Sequence, residues 1–346
     1  MSSKSVVLKK SLDEGVPTPE IFDIVENTAP PTASDLKDGD ILVQLLAVSA
    51  DPYLRGSIRS TGAIPAGSVM NGFVVGKVMA ANNNANWVEG DLFGSALAFT
   101  TVQILTKEAL AKTLIWKLSE HLNESNITIG LGILGMPGST AYGGLIDILK
   151  PAAGQTIFIS AASGAVGSVV GMIAKNVYGC TTIGSCGGPE KVKLLKEKFG
   201  YDHAIDYKTC SDADALKSAL DAVAPDGIDM YFENVGGMHF DAAFASLKAG
   251  GRIAVCGAIS EYNNSKVVGN NVDITKMIYS GQRIEGFVCM PWLSGQRGTF
   301  LADMANWFKA GKIVEQETFT DGIENWPVAF QSLFTGSNKG KVVVRV

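Results

Sequence analysis

The stretch IFISAASGAVGSVVGMIAK, residues 157–175, passes from an apolar run to a helix-periodic run through a cluster of small residues. Strand, tight turn and helix in that order open a dinucleotide-binding unit. There the small residues let backbone N–H groups and the helix N-terminus come close to a pyrophosphate. The spacing departs from the usual form, because GxGxxG needs glycine at 162 and the chain has Ala162, followed by Gly164 and Gly167.

Working outward, the sequence shows two textures. From about residue 135, apolar strand candidates alternate with helix candidates: QTIFIS (155–160), TTIGSC (181–186), HAIDY (203–207), IDMYFENV (228–235), RIAVCGA (252–258) and RIEGFVC (283–289) are strands. AVGSVVGMIAKNVYG, PEKVKLLKEKFG, DADALKSALDAVA and HFDAAFASLKAGG are the helices between the early ones. This alternation predicts a doubly wound parallel sheet. Before about residue 130 the chain runs in short β-rich pieces, DILVQLLAVSA, SVMNGFVVGKVMA and DLFGSALAFTTVQIL, which predict an antiparallel barrel or sandwich. After residue 300 come a helix, TFLADMANWFKAGK, and a last strand in KGKVVVRV.

A chain of 346 residues with 46% hydrophobic content has ample material for two cores, and its net charge of −5 argues against a long phosphate-binding stripe for nucleic acid. The amino terminus lacks an apolar segment of signal-peptide length. The five cysteines form no CxxC pair and are too sparse for a disulfide scaffold, so a soluble cytoplasmic protein is expected.

Cofactor type is read at the end of the second strand, where an NAD site carries Asp or Glu for the ribose hydroxyl. Here the strand ends in Gly184, Ser185, Cys186, Gly187 and Gly188, and Lys191 follows in the next helix. A missing acid and a nearby lysine favour NADPH. No metal is expected: the first Cys is Cys180 and the first His is His121, so no Cys/His zinc site can be assembled from the first 120 residues. No GxSxG nucleophile occurs, which leaves the chemistry to the cofactor.

A set of ordered segments then resembles the zinc-free medium-chain dehydrogenase/reductases, within the leukotriene 12-hydroxydehydrogenase, prostaglandin reductase and alkenal double-bond reductase group. They are DPYLRG (51–56), LGMPGSTAYGGL (134–145), AASGAVGSVVG (161–171), EKVKLLK (190–196), DYKT (206–209), YFENVGG (231–237), GRIAVCGAISEYN (251–263), IEGFV (284–288) and NKGKVVV (338–344). The resemblance covers nearly the whole chain. It implies an α/β protein with a GroES-like β-barrel domain, residues 1–130 and 302–346, and a Rossmann domain, residues 131–301. It implies NADPH-dependent reduction of the C=C bond of α,β-unsaturated aldehydes and ketones, and homodimers joined through the Rossmann sheet edge.

For cofactor binding the resemblance implies Ser163, Gly164, Ala165, Val166 and Gly167 in the glycine turn, with Met136 and Thr140 beside it. It further implies Gly187, Lys191 and Tyr207 around the 2′-phosphate, and Asn234, Cys256, Gly257, Phe287, Val288 and Asn338 towards the rest of the cofactor. Tyr262 falls on the substrate-polarising tyrosine, and Tyr53 and Tyr279 are further pocket candidates. Met172 departs from a frequent Gln, and PWLSGQRG (291–298) has no confident counterpart. Three alternatives remain: an NADPH quinone reductase, a non-catalytic NADPH-binding or sensing protein, and oxidation of an allylic alcohol as the direction used in the cell.

Overall fold

The computed structural model describes residues 2–266, 268–270 and 272–346. The chain divides into two compact units, residues 1–135 with 317–346, and residues 136–316.

In the second unit six parallel strands form one sheet: Thr156–Ile159, Thr181–Cys186, His203–Asp206, Ile228–Glu233, Leu247–Val255 and Arg283–Gly286. Numbered within the unit, their spatial order is 3-2-1-4-5-6. The order reverses between the first and fourth strands, which opens a crevice at their carboxyl ends. Ile157, Phe158 and Ile159 have no accessible surface, as expected for a strand covered on both faces. Helix Ala165–Asn176 follows the first strand, and helix Pro189–Glu197 follows the second.

The irregular glycine turn has a packing explanation. A Cβ on Gly184 would lie 2.7 Å from the Ala162 Cβ, so the methyl group that replaces the expected glycine is accommodated by a bare backbone on the neighbouring strand. A Cβ on Gly167 would lie 2.6 Å from the Ala161 oxygen, so only glycine lets the helix sit this close to the turn. Ala161 itself adopts φ 48°, a left-handed conformation unusual for alanine.

Two elements differ from the sequence reading. Leu247–Gly251, read as a helix tail, begins the fifth strand, because Leu247 pairs with Ile228 and is buried against it. Helix Phe300–Lys309 stays with the second unit, held by a Tyr142 hydroxyl bond to Asp303 of 2.7 Å and by Trp307 stacked on Tyr142; the chain returns to the first unit at Glu317, not near 302.

The first unit is built on a curled, mostly antiparallel sheet around strand Ile41–Ser49. That strand pairs with Asn71–Ala81, Val102–Leu105 and Lys341–Arg345, and irregular register against Asn71–Ala81 lets the sheet bend. The core holds Phe22, Phe99, Trp326 and Phe330; the Trp326 indole N–H donates to the Ser49 carbonyl at 2.8 Å.

Candidate active site

The candidate site is assembled at the carboxyl ends of the parallel strands. Gly164 caps helix Ala165–Asn176 through its backbone alone, with no side-chain acceptor. The first-turn N–H groups of Ala165, Val166 and Gly167 are those that a helix start leaves without an intrahelical acceptor, and Ser163 is buried just before them. Met136 and Thr140 open the adjacent helix Met136–Gly143; the Thr140 hydroxyl donates to the Met136 carbonyl at 2.8 Å.

At the second and third strand ends, Cys186, Gly187 and Asp206 come together. The Gly188 N–H donates to the Asp206 carboxylate at 2.8 Å. Burial pushes the Cys186 thiol up to about 12; Asp206 adds to this and Lys191 opposes it, so both charges lie beside this strand end. Tyr207 packs edge-on against His239, ring centroids 5.0 Å apart. His239 is buried, bonds the Ser185 hydroxyl at 2.8 Å, and is pushed down by burial to about 4, which leaves it neutral.

The reversal point between the first and fourth strands is tied by a buried polar network. Glu233 Oε1 accepts from the Ser160 hydroxyl at 3.0 Å and from the N–H groups of Val235 and Gly236 at 2.6 and 2.9 Å. Its backbone carbonyl accepts from the N–H groups of Cys256 and Gly257 at 2.9 and 3.1 Å. The Asn234 amide donates to the Ser160 carbonyl at 2.7 Å. Burial raises the Glu233 carboxyl above its ordinary range, partly offset by the two N–H donors. Glu233 was not singled out in the sequence; the only signal was an acid closing an apolar strand, two residues after Tyr231.

Tyr262 sits over this network. Its hydroxyl accepts from the Ala258 N–H at 3.3 Å and lies so close to Gly257 that a Cβ there would be 2.9 Å away. Burial raises the phenol, opposed by the Ala258 N–H, so the hydroxyl keeps its proton at neutral pH. A protonated phenol that already accepts a backbone N–H is a strengthened donor. Burial likewise pushes the Cys256 thiol up to about 12.

Phe287 packs edge-on against Phe232, 6.1 Å between centroids, while Val288 beside it is largely exposed. Tyr53 and Asn338 belong to the first unit: Tyr53 packs edge-on against Phe73, and the Asn338 amide donates to the Gly340 carbonyl. Tyr279 is not brought to the group. It is 86% accessible near the end of helix Ile274–Ser280, just before Gln282, whose amide donates to the Leu247 carbonyl at the amino end of the fifth strand.

Comparison with known proteins settles the family. Residues 165–308 match the family described as zinc-binding dehydrogenase, and residues 4–113 match the N-terminal domain of oxidoreductase. The chain is 38% identical to prostaglandin reductase 1 of Mus musculus over 345 residues, covering 100% of this chain and 99% of that one. It is 38% identical to 2-alkenal reductase (NADP(+)-dependent) of Nicotiana tabacum, covering 100% and 98%. The chain belongs to the zinc-free medium-chain dehydrogenase/reductases, in their prostaglandin and alkenal reductase group.

Among solved structures, CurA of Vibrio vulnificus in complex with NADPH matches with a TM-score of 0.84 at 36% identity over 99% of both chains. The chain is thus an NADP(H)-dependent oxidoreductase acting on carbon–carbon double bonds. Despite the name of the larger family, no cluster of three or more His, Cys, Asp or Glu residues able to hold a metal occurs among the described residues. No single described helix is long and apolar enough to cross a membrane.

Proposed function

We propose that this protein reduces the C=C bond of α,β-unsaturated aldehydes and ketones, with the Tyr262 hydroxyl stabilising the enolate that forms. The observation that carries the proposal is a protonated, half-buried tyrosine at the carboxyl ends of the strands, polarised by the Ala258 N–H, beside a bare glycine. Bound NADPH supplies a hydride to the substrate β-carbon. As that C–H bond forms, the C=C π electrons move toward the carbonyl and negative charge builds on its oxygen. Tyr262 donates to that oxygen, an effect worth about 3 kcal/mol at a preorganised site. Solvent then protonates the α-carbon, so no further general acid is needed, in keeping with thiols held well above neutral at Cys186 and Cys256.

The cofactor roles are those the family resemblance implies, and the turn geometry supports them. The N–H groups of Ala165, Val166 and Gly167 hold the pyrophosphate, while Met136, Thr140 and Ser163 shape the turn. Lys191 and Tyr207 take the 2′-phosphate beside Gly187. Asn234, Cys256, Gly257, Phe287 and Val288 border the nicotinamide. Lys191→Ala raises KM for NADPH much more than for NADH; equal effects on both would remove Lys191 from the 2′-phosphate.

A homodimer is supported by the outer edge of strand Arg283–Gly286, which carries no further strand among the described residues, and by Ile274 and Ile278 exposed one turn apart on the adjacent helix. Light scattering on the purified protein checks it: twice the chain mass is expected, and a monomer contradicts it. Five cysteines outside any disulfide favour a reducing, cytoplasmic setting.

The deciding experiment follows NADPH absorbance with a panel of enals, enones and a quinone, repeated with NADH. Oxidation by enones with NADPH is expected. Turnover of the quinone alone would make the protein a quinone reductase, and binding of NADPH without turnover of any acceptor would make it a binding or sensing protein.

A further inference from the structure

Lys208 stands beside the turn assigned to the 2′-phosphate, yet no segment resemblance and no spacing argument gave it a role. The third strand ends at Asp206, whose carboxylate accepts from the Gly188 N–H at 2.8 Å and from the Lys208 N–H at 3.1 Å. One side chain thus fixes the Gly187–Gly188 turn and the start of Tyr207–Thr209 together.

This arrangement lays the Lys208 stem over the turn. A Cβ on Gly187 would meet the Lys208 Cε at 2.9 Å and the Tyr207 ring at 3.2 Å, so both side chains rest against the same bare backbone. Among the described residues the Lys208 ammonium makes no hydrogen bond and no ion pair, whereas Lys4, Lys9, Lys77, Lys107, Lys112 and Lys117 all have carboxylate partners.

Charge gives the ammonium a purpose. Asp206 lies at the floor of the turn and Glu190 follows in the first turn of helix Pro189–Glu197, so the structural acids bring negative charge to the place where a phosphate dianion must sit. A second ammonium brings the turn to neutrality before the dianion arrives, and the helix N-terminus adds to it.

We propose that Lys208 is a second specificity-determining cation, which works with Lys191 to select NADPH over NADH through the 2′-phosphate. The inference deepens the 2′-phosphate reading given above and rests on it. A solvent-exposed ammonium on a phosphate gives one charge-assisted hydrogen bond, and its removal weakens binding about tenfold.

The test is direct binding, by calorimetry, of NADPH, NADH, adenosine 2′,5′-bisphosphate and AMP to the wild type and to Lys208→Ala, Lys208→Arg and Lys191→Ala. The expected result is that Lys208→Ala weakens NADPH and the bisphosphate about tenfold, leaves NADH and AMP unchanged, and is largely rescued by Lys208→Arg. Equal weakening of phosphorylated and unphosphorylated ligands, or none of either, overturns the assignment. If Lys191→Ala loses the preference and Lys208→Ala keeps it, Lys208 alone is excluded. If the wild type binds the bisphosphate no better than AMP, the 2′-phosphate reading itself fails and takes this inference with it.

Discussion

Asp51 in the first unit and Glu233 in the second are carboxylates with almost no solvent access, and they are neutralised in different ways. Asp51 is paired with the Lys341 ammonium at 3.2 Å, and that ammonium also donates to the carbonyls of Ala50 and Val342 at 2.9 Å each. All three ammonium protons are placed, and the turn before Tyr53 is clamped to the strand Lys341–Arg345. Among the described residues Glu233 faces no cation. Among the described residues its side chain accepts from a hydroxyl and two backbone N–H groups, while its Oε2 and the Tyr231 hydroxyl are buried beside it without a hydrogen-bond partner. A charge closed by a counter-charge is a strut. A carboxyl held by dipoles alone at a sheet's reversal point is a group whose proton the fold controls, the arrangement expected near chemistry.

The largest expected effect breaks the strut. Lys341→Met leaves Asp51 buried without a counter-charge and costs about 3–5 kcal/mol, read from urea unfolding. Adding Asp51→Leu should recover most of that loss; no recovery would mean the pair is not the source of the cost.

On the second unit's side, Tyr262→Phe keeps the ring and removes the donor. Turnover of an enone should fall about 100-fold, or about 3 kcal/mol, with the urea midpoint unchanged. Unaltered turnover would reduce Tyr262 to packing.

Next in size is His239, the buried base that backs Tyr207. Its folded pKa of about 4 lies below the ordinary 6.5, so the unfolded chain takes up a proton that the folded chain refuses as pH falls through that window. Stability should drop by about 2–3 kcal/mol between pH 7 and 4.5 through this residue. In His239→Gln that part of the acid slope should vanish, and an unchanged slope would place the titration elsewhere.

Glu233 gives the smallest effect and the opposite sign. Its raised pKa means the folded state holds the proton longer, so its contribution is full at low pH and is lost as pH rises through the raised value. Glu233→Gln fixes the neutral form and can donate toward Tyr231. It should be relatively more stable than the wild type by about 1 kcal/mol at alkaline pH, with the gap closing in acid. A gap independent of pH would mean that Glu233 does not titrate in this range.

The same contrast explains what was legible in the sequence. The glycine turn, the second strand's end and the alternation of elements are local, so residues 155–188 announced both the parallel sheet and the cofactor end of it. Tyr262 was found through resemblance, not spacing, because its partner Gly257 is close in sequence but marked only by size. Glu233 was hidden inside an apolar run, where one acid reads as a strand end. Asp51 and Lys341 lie at opposite ends of the chain and carry no shared local signal. Tyr279 lies apart from the group within this chain, because a short helix carries it back toward the amino ends of the strands, a reversal that composition does not encode. Lys208 was passed over beside Tyr207, since an exposed lysine takes on meaning only once Gly187 is seen beneath it.

The most direct test of the central claim is the position of the new hydrogens after an enone is turned over with NADPH in D2O, read by NMR of the product. The account predicts a saturated ketone with protium from the cofactor on the β-carbon and deuterium from solvent on the α-carbon. An allylic alcohol, with the carbonyl carbon reduced and the double bond intact, would contradict it.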